Sequence, residues 1–125
     1  MRPHGPTAFL AFLAAVTTAA PADAAGDAAK GRRIAERHCS RCHVVGDGNR
    51  LGGIGSTPSF PLLRRMGDWR ERFETFYARR PHPVHVRVEG VRKWSGLPSN
   101  AAVIRLTQED VDDILAFVES LPARR

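Results

Sequence analysis

The sequence predicts a mainly helical domain, on three observations. Apolar residues recur at helical spacing before residue 41, between residues 60 and 80, and after residue 107. A glycine-rich stretch, Val44 to Ser59, follows the first of these segments. Between the first helix and that loop lies the run Cys39-Ser40-Arg41-Cys42-His43. A C-x-x-C-H run is the attachment signature of c-type haem. Each thiol can add to one haem vinyl group. The spacing puts both sulfurs on one face of a helical turn, and the histidine then points a ring nitrogen at the iron.

Other uses of a cysteine pair fit less well. Cys39 and Cys42 are the only cysteines. A redox-active disulfide of the thioredoxin kind needs alternating strands and helices, and the chain lacks that pattern. A zinc site needs four ligands, so the motif leaves zinc one short unless a distant histidine joins.

The N-terminal segment reads as a secretory signal. Arg2 and His4 give a positive start, Thr7 to Val16 is apolar, and Ala22-Asp23-Ala24 is a small-residue cleavage site. The apolar run is too short to span a bilayer, which takes about 20 residues. Residues 1–24 are therefore expected to be a signal peptide and 25–125 one domain, soluble, exported to the periplasm and monomeric. The formal net charge of +6 is carried mostly by arginine. It favours partners with acidic docking surfaces. Nucleic acid is excluded as a partner, because no recognition motif accompanies the charge.

The elements follow in order. Ala25 to Arg41 is expected to be a helix, with Gly31 marking close approach by another element, since an interior glycine costs about 1 kcal/mol. Val44 to Ser59 is a loop closed by Pro58. A metal-bound histidine donates its other ring N–H to a carbonyl or carboxylate, and the Pro58 carbonyl is the candidate acceptor for His43. Asn49 and Arg50 are within the reach of a haem propionate or simply solvated. Phe60 to Met66 is a short helix stopped by Gly67. Asp68 caps a second running to about Arg80, with Trp69, Phe73, Phe76 and Tyr77 on one face. His82 to Asn100 alternates like a strand and is read as an extended segment or small hairpin. Thr107 opens the last helix with a capping box closed by Asp110.

These residues resemble the class I c-type cytochrome family, in its small bacterial single-haem form, from about Ala25 to Pro122. Gly31, the motif Cys39–His43, Thr57-Pro58-Ser59-Phe60 and Asp113 to Val118 carry the likeness. The resemblance implies an all-α, cytochrome c-like fold, three to five helices around one covalent haem c, with Gly31 of the first helix against Phe117 of the last. It implies cofactor binding by Cys39, Cys42, His43 and Pro58, and one-electron transfer without enzymatic chemistry. Arg64, Arg65 and Arg92 are candidates for a charged docking rim.

The sequence departs from the family at the far side of the iron. The usual ligand is a methionine before the last helix, and no methionine follows Met66. Leucine stands at Leu97-Pro98. In a second alignment His82-Pro83-Val84-His85 places a histidine at the ligand position. His43 is thus expected as the proximal ligand and His85 as the distal one, with His82, Met66 or a weakly held position near Asn100 as alternatives. The leading function is a periplasmic electron carrier with an unusual distal ligand. The alternative is a haem sensor or small-ligand binder with an open sixth position.

Overall fold

The computed structural model describes Met1 and residues 26–123. The expected signal peptide and its cleavage point lie outside the described residues, Met1 apart. The described residues contain helices α1 (Ala28–His38), α2 (Phe60–Arg64), α3 (Trp69–Glu74), α4 (His82–His85) and α5 (Gln108–Ser120). Two 3-10 turns span Asp47–Asn49 and Phe76–Ala78. Among the described residues a short ribbon pairs β1 (Val86–Val88) in parallel with β2 (Ile104–Leu106). The mainly helical architecture is the one expected.

Helix α1 starts at Asp27, whose carboxylate accepts from the backbone of Ala29 at 2.8 Å and Lys30 at 3.0 Å. Two of the donors a helix start leaves unpaired are thereby satisfied. The helix ends at His38, earlier than the periodicity suggests. Beyond it the motif folds into a turn, with Cys42 N and His43 N both donating to the Cys39 carbonyl, at 3.1 and 2.9 Å. Helix α5 closes the chain and makes the most extensive contact in the fold, with α1. Its start is the expected capping box: Thr107 Oγ1 accepts from Asp110 N at 3.1 Å, and Asp110 Oδ2 accepts from Thr107 N at 2.9 Å.

Gly31 is where α1 and α5 meet backbone to backbone. A Cβ there would overlap the Asp113 carbonyl and stand 2.8 Å from Ile114 N. Glycine removes that obstacle, so the helices cross at contact distance. The nearest neighbours of that position are atoms of the α5 main chain. Phe117, one turn along α5, packs near Phe60, with ring centroids 6.5 Å apart. The crossing carries a polar lock as well. Asp113 is 2 % exposed, accepts from Asp27 N at 2.6 Å and meets Lys30 Nζ at 2.8 Å. Lys30 also reaches Glu109 and Asp110, so a buried carboxylate and a rim cation hold the helix pair together. Those three carboxylates stabilise the Lys30 ammonium and push its pKa up.

The stretch from residue 60 to residue 80 breaks more often than its aromatic spacing suggests. Helix α2 stops at Arg64. Helix α3 stops at Glu74, and the chain tightens into the Phe76–Ala78 turn. Asp68 precedes α3 as expected, but its carboxylate binds Arg72 Nε at 2.8 Å rather than a backbone N–H. The expected hairpin over His82–Asn100 is replaced by two other elements. His82–His85 is one helical turn, and Val86–Val88 pairs with a later strand in parallel. Strand β2, only three residues long, gives no periodic signal of its own.

Candidate haem-iron site

The proximal side is built by the turn after α1. His43 Nδ1 lies 2.7 Å from the Pro58 carbonyl oxygen. A carbonyl can only accept, so Nδ1 carries the proton and Nε2 keeps its lone pair. The ring packs edge-on against Phe60, the first residue of α2, with centroids 5.4 Å apart. Gly53, at φ +79°, passes so close that a Cβ would stand 3.0 Å from the Cys42 carbonyl oxygen. Both the positive φ and the close approach require glycine. The Ile54 N–H then binds that carbonyl at 2.9 Å.

Cys39 and Cys42 are free thiols, Cys39 half-buried and Cys42 exposed. Burial, with the neighbouring Cys42, pushes the Cys39 thiol up to about 12. A redox-active C-x-x-C works through a depressed thiol pKa, the opposite of the direction at Cys39.

The residue facing His43 is His82. The two rings are parallel within 7°, with centroids 5.9 Å apart. His82 Nδ1 lies 3.0 Å from the Arg79 carbonyl, which fixes the same tautomer as in His43. Phe76 meets the His82 ring edge-on at 5.5 Å. Burial holds His82 below the ordinary imidazole pKa, against the pull of the Arg79 carbonyl, so the ring is kept neutral. His85, one turn on, has its Nδ1 2.9 Å from Ser99 Oγ. Met66 sits in the turn between α2 and α3 with its side chain exposed, and Asn100 is also exposed.

The centroid spacing of the two imidazoles matches that of two rings bound to one iron. A metal–imidazole bond is about 2 Å and the ring centre lies about 1 Å behind the nitrogen, so rings on opposite sides of one metal have centroids about 6 Å apart. Ile54, Leu62, Trp94 and Leu97 are each at least 46 % exposed, apolar surface that a porphyrin face could cover.

The remaining candidates divide. Arg50 pairs with Asp47 at 2.6 Å and Arg64 stacks over Trp69 at 4.1 Å. Arg65 and Arg92 are exposed, with Arg92 lying 4.1 Å from the centre of the Trp94 ring. The supporting roles of Phe76 and Arg79 beneath His82 are not visible in the sequence, because the aromatic stripe reads equally well as core.

A helical fold closed by an α1–α5 crossing, with a C-x-x-C-H turn at the end of α1, defines a c-type cytochrome domain. The cytochrome c family model matches residues 28–122, and the chain belongs to that family, whose members carry single electrons on covalently held haem. It is similar to cytochrome c-552 of Bradyrhizobium diazoefficiens, 28% identical over 112 residues, which cover 90% of this chain and 91% of the relative. No solved structure gives a significant match. Among the described residues, no helix is long and apolar enough to cross a membrane.

Proposed function

We propose that this protein is an exported, periplasmic electron carrier whose single haem is attached through Cys39 and Cys42 and held between His43 and His82. Residues 1–24 act as the signal peptide and 25–125 as the carrier. The observation that carries the reading is the parallel pairing of the two imidazoles at 5.9 Å, each with Nδ1 at a main-chain carbonyl. That arrangement favours His82 over His85, whose ring turns to Ser99. It also favours a closed, six-coordinate iron over an open sixth position.

When bound, the haem supplies the one-electron couple. The chain's own residues ligate, orient and bury it. The Pro58 and Arg79 carbonyls orient the two rings and raise their donor strength. Stronger donation from nitrogen stabilises the oxidised iron, so bis-histidine ligation lowers the potential relative to His/Met. The positive net charge steers the carrier toward acidic redox partners. The protein acts as a monomer without chemistry of its own beyond electron transfer.

Two measurements test this reading. Replacing both cysteines, Cys39→Ser with Cys42→Ser, abolishes pigment that survives denaturation; survival would refute covalent attachment. A potentiometric titration gives a midpoint below that of a His/Met cytochrome of similar burial; a value in the His/Met range would refute the bis-histidine assignment.

A further inference from the structure

We propose that Asn49 is a positioning residue for His43, a role that rests on the reading of His43 as an iron ligand. The carbonyls flanking His43 are held by main-chain donors: Cys42 O by Ile54 N at 2.9 Å and Val44 O by Phe60 N at 2.9 Å. The His43 carbonyl between them is held by a side chain instead. Asn49 Nδ2 donates to it at 2.9 Å, with the Ser40 carbonyl more distant at 3.5 Å. On the other side of the same amide, Oδ1 accepts from Val45 N at 2.8 Å and from Gly46 N at 3.3 Å. One half-buried amide therefore clamps the chain from the motif turn to Gly46. Its polar atoms are engaged with the backbone, so a haem propionate contact would break the clamp.

Asparagine suits the task because it carries a donor and an acceptor on a short stem. Aspartate keeps the acceptor but turns a carboxylate oxygen toward the His43 carbonyl. Alanine removes both functions. In either case the main chain of His43 loses its tether. The ring can then move away from the Pro58 carbonyl, and the weaker Nδ1–H bond makes the imidazole a poorer donor. A poorer donor stabilises the oxidised iron less, so the midpoint potential rises.

The test compares Asn49→Asp and Asn49→Ala with Val118→Ala, a truncation of a fully buried core side chain in α5. The readouts on the haem-loaded protein are the midpoint potential, the proton NMR shifts of the His43 ring and amide exchange at Val45 and Gly46. Asn49→Ala, which adds no charge, is expected to raise the potential, and both Asn49 variants to move the His43 resonances and speed both amides at least tenfold. Val118→Ala should lower the Tm and leave the potential and the His43 resonances in place. Asn49 variants that behave like Val118→Ala would overturn the proposal. The wild type supplies a test that needs no variant: Val45 and Gly46 amides exchanging as fast as open loop positions would also overturn it. A wild type showing no axial resonance from His43 would instead refute the underlying reading of the iron site.

Discussion

Gly31→Ala inserts one methyl carbon where α1 and α5 touch. The carbon would overlap the Asp113 carbonyl and stand 2.8 Å from Ile114 N. A relaxed carbon–oxygen contact is about 3.3–3.6 Å, so the helices must part by roughly 1.5 Å. The obstacle is main chain in an ordered helix, which cannot swing aside as a side-chain tip can. Overpacking of a core costs about 1–3 kcal/mol, and this site belongs at the upper end. A gap of 0.5–1 Å also forfeits about a quarter to a half of each dispersion contact. Ala35, Val111, Ile114 and Val118, all buried on these two helices, feel that loss. Against it stands a gain of about 1 kcal/mol in helix propensity. The net is a destabilisation of about 2 kcal/mol, or about 10 °C in Tm for a domain of this size. Urea unfolding of the haem-loaded protein measures it, with the midpoint falling at unchanged slope. Gly67→Ala is the control, since nothing lies within 4 Å of a Cβ there. If Gly31→Ala is as stable as the wild type, the close crossing is not what positions the helices and the reasoning fails.

Two further predictions concern the charged groups. Asp113→Ala removes a buried acceptor that holds Asp27 N at 2.6 Å, and loss of a hydrogen bond to a charged group costs about 1.5–3 kcal/mol. Equal unfolding midpoints for this variant and the wild type would contradict the lock. The acid limb of stability follows from Asp27 and Asp68. The Lys30 backbone N–H holds Asp27, and the Arg72 guanidinium holds Asp68, below the ordinary carboxylate value of 3.8. A depressed folded pKa stabilises above the unfolded value and is lost as pH falls through the folded one. The urea midpoint should therefore stay level from neutral pH down to about 5 and drop below the carboxylate pKa range. Asp68→Asn should shallow that drop, and an unchanged drop would assign it to other groups.

The parts of the fold written locally in the sequence were legible. Thr107 and Asp110 sit three apart at the head of a periodic run, and the capping box forms between them. Cys39, Cys42 and His43 are fixed by spacing, and Pro58 by its distance along a glycine-rich loop that must turn back under His43. What stayed hidden depends on contacts between distant segments. Strand β2 exists because β1 lies beside it in parallel, and three residues carry no period. The Gly31 crossing could be inferred, but the partner atom could not, because backbone carbonyls leave no trace in composition. The choice between His82 and His85 is of the same kind. Both histidines lie within two residues of Pro83, and the difference lies in which ring turns toward His43 and which toward Ser99. Alignment to a family pattern favours His85, whereas geometry favours His82. Asn49 reads as an ordinary loop residue until the turn folds its amide inward.

One iron held between His43 and His82 makes each imidazole answerable for the spin state. The direct measurement is the spin state of the ferric haem protein, by optical and electron paramagnetic resonance spectra, in His82→Ala and His85→Ala. The expected result is a low-spin wild type, a His82→Ala variant that turns high-spin and binds carbon monoxide when reduced, and a His85→Ala variant that stays low-spin. A low-spin His82→Ala beside a high-spin His85→Ala would contradict it.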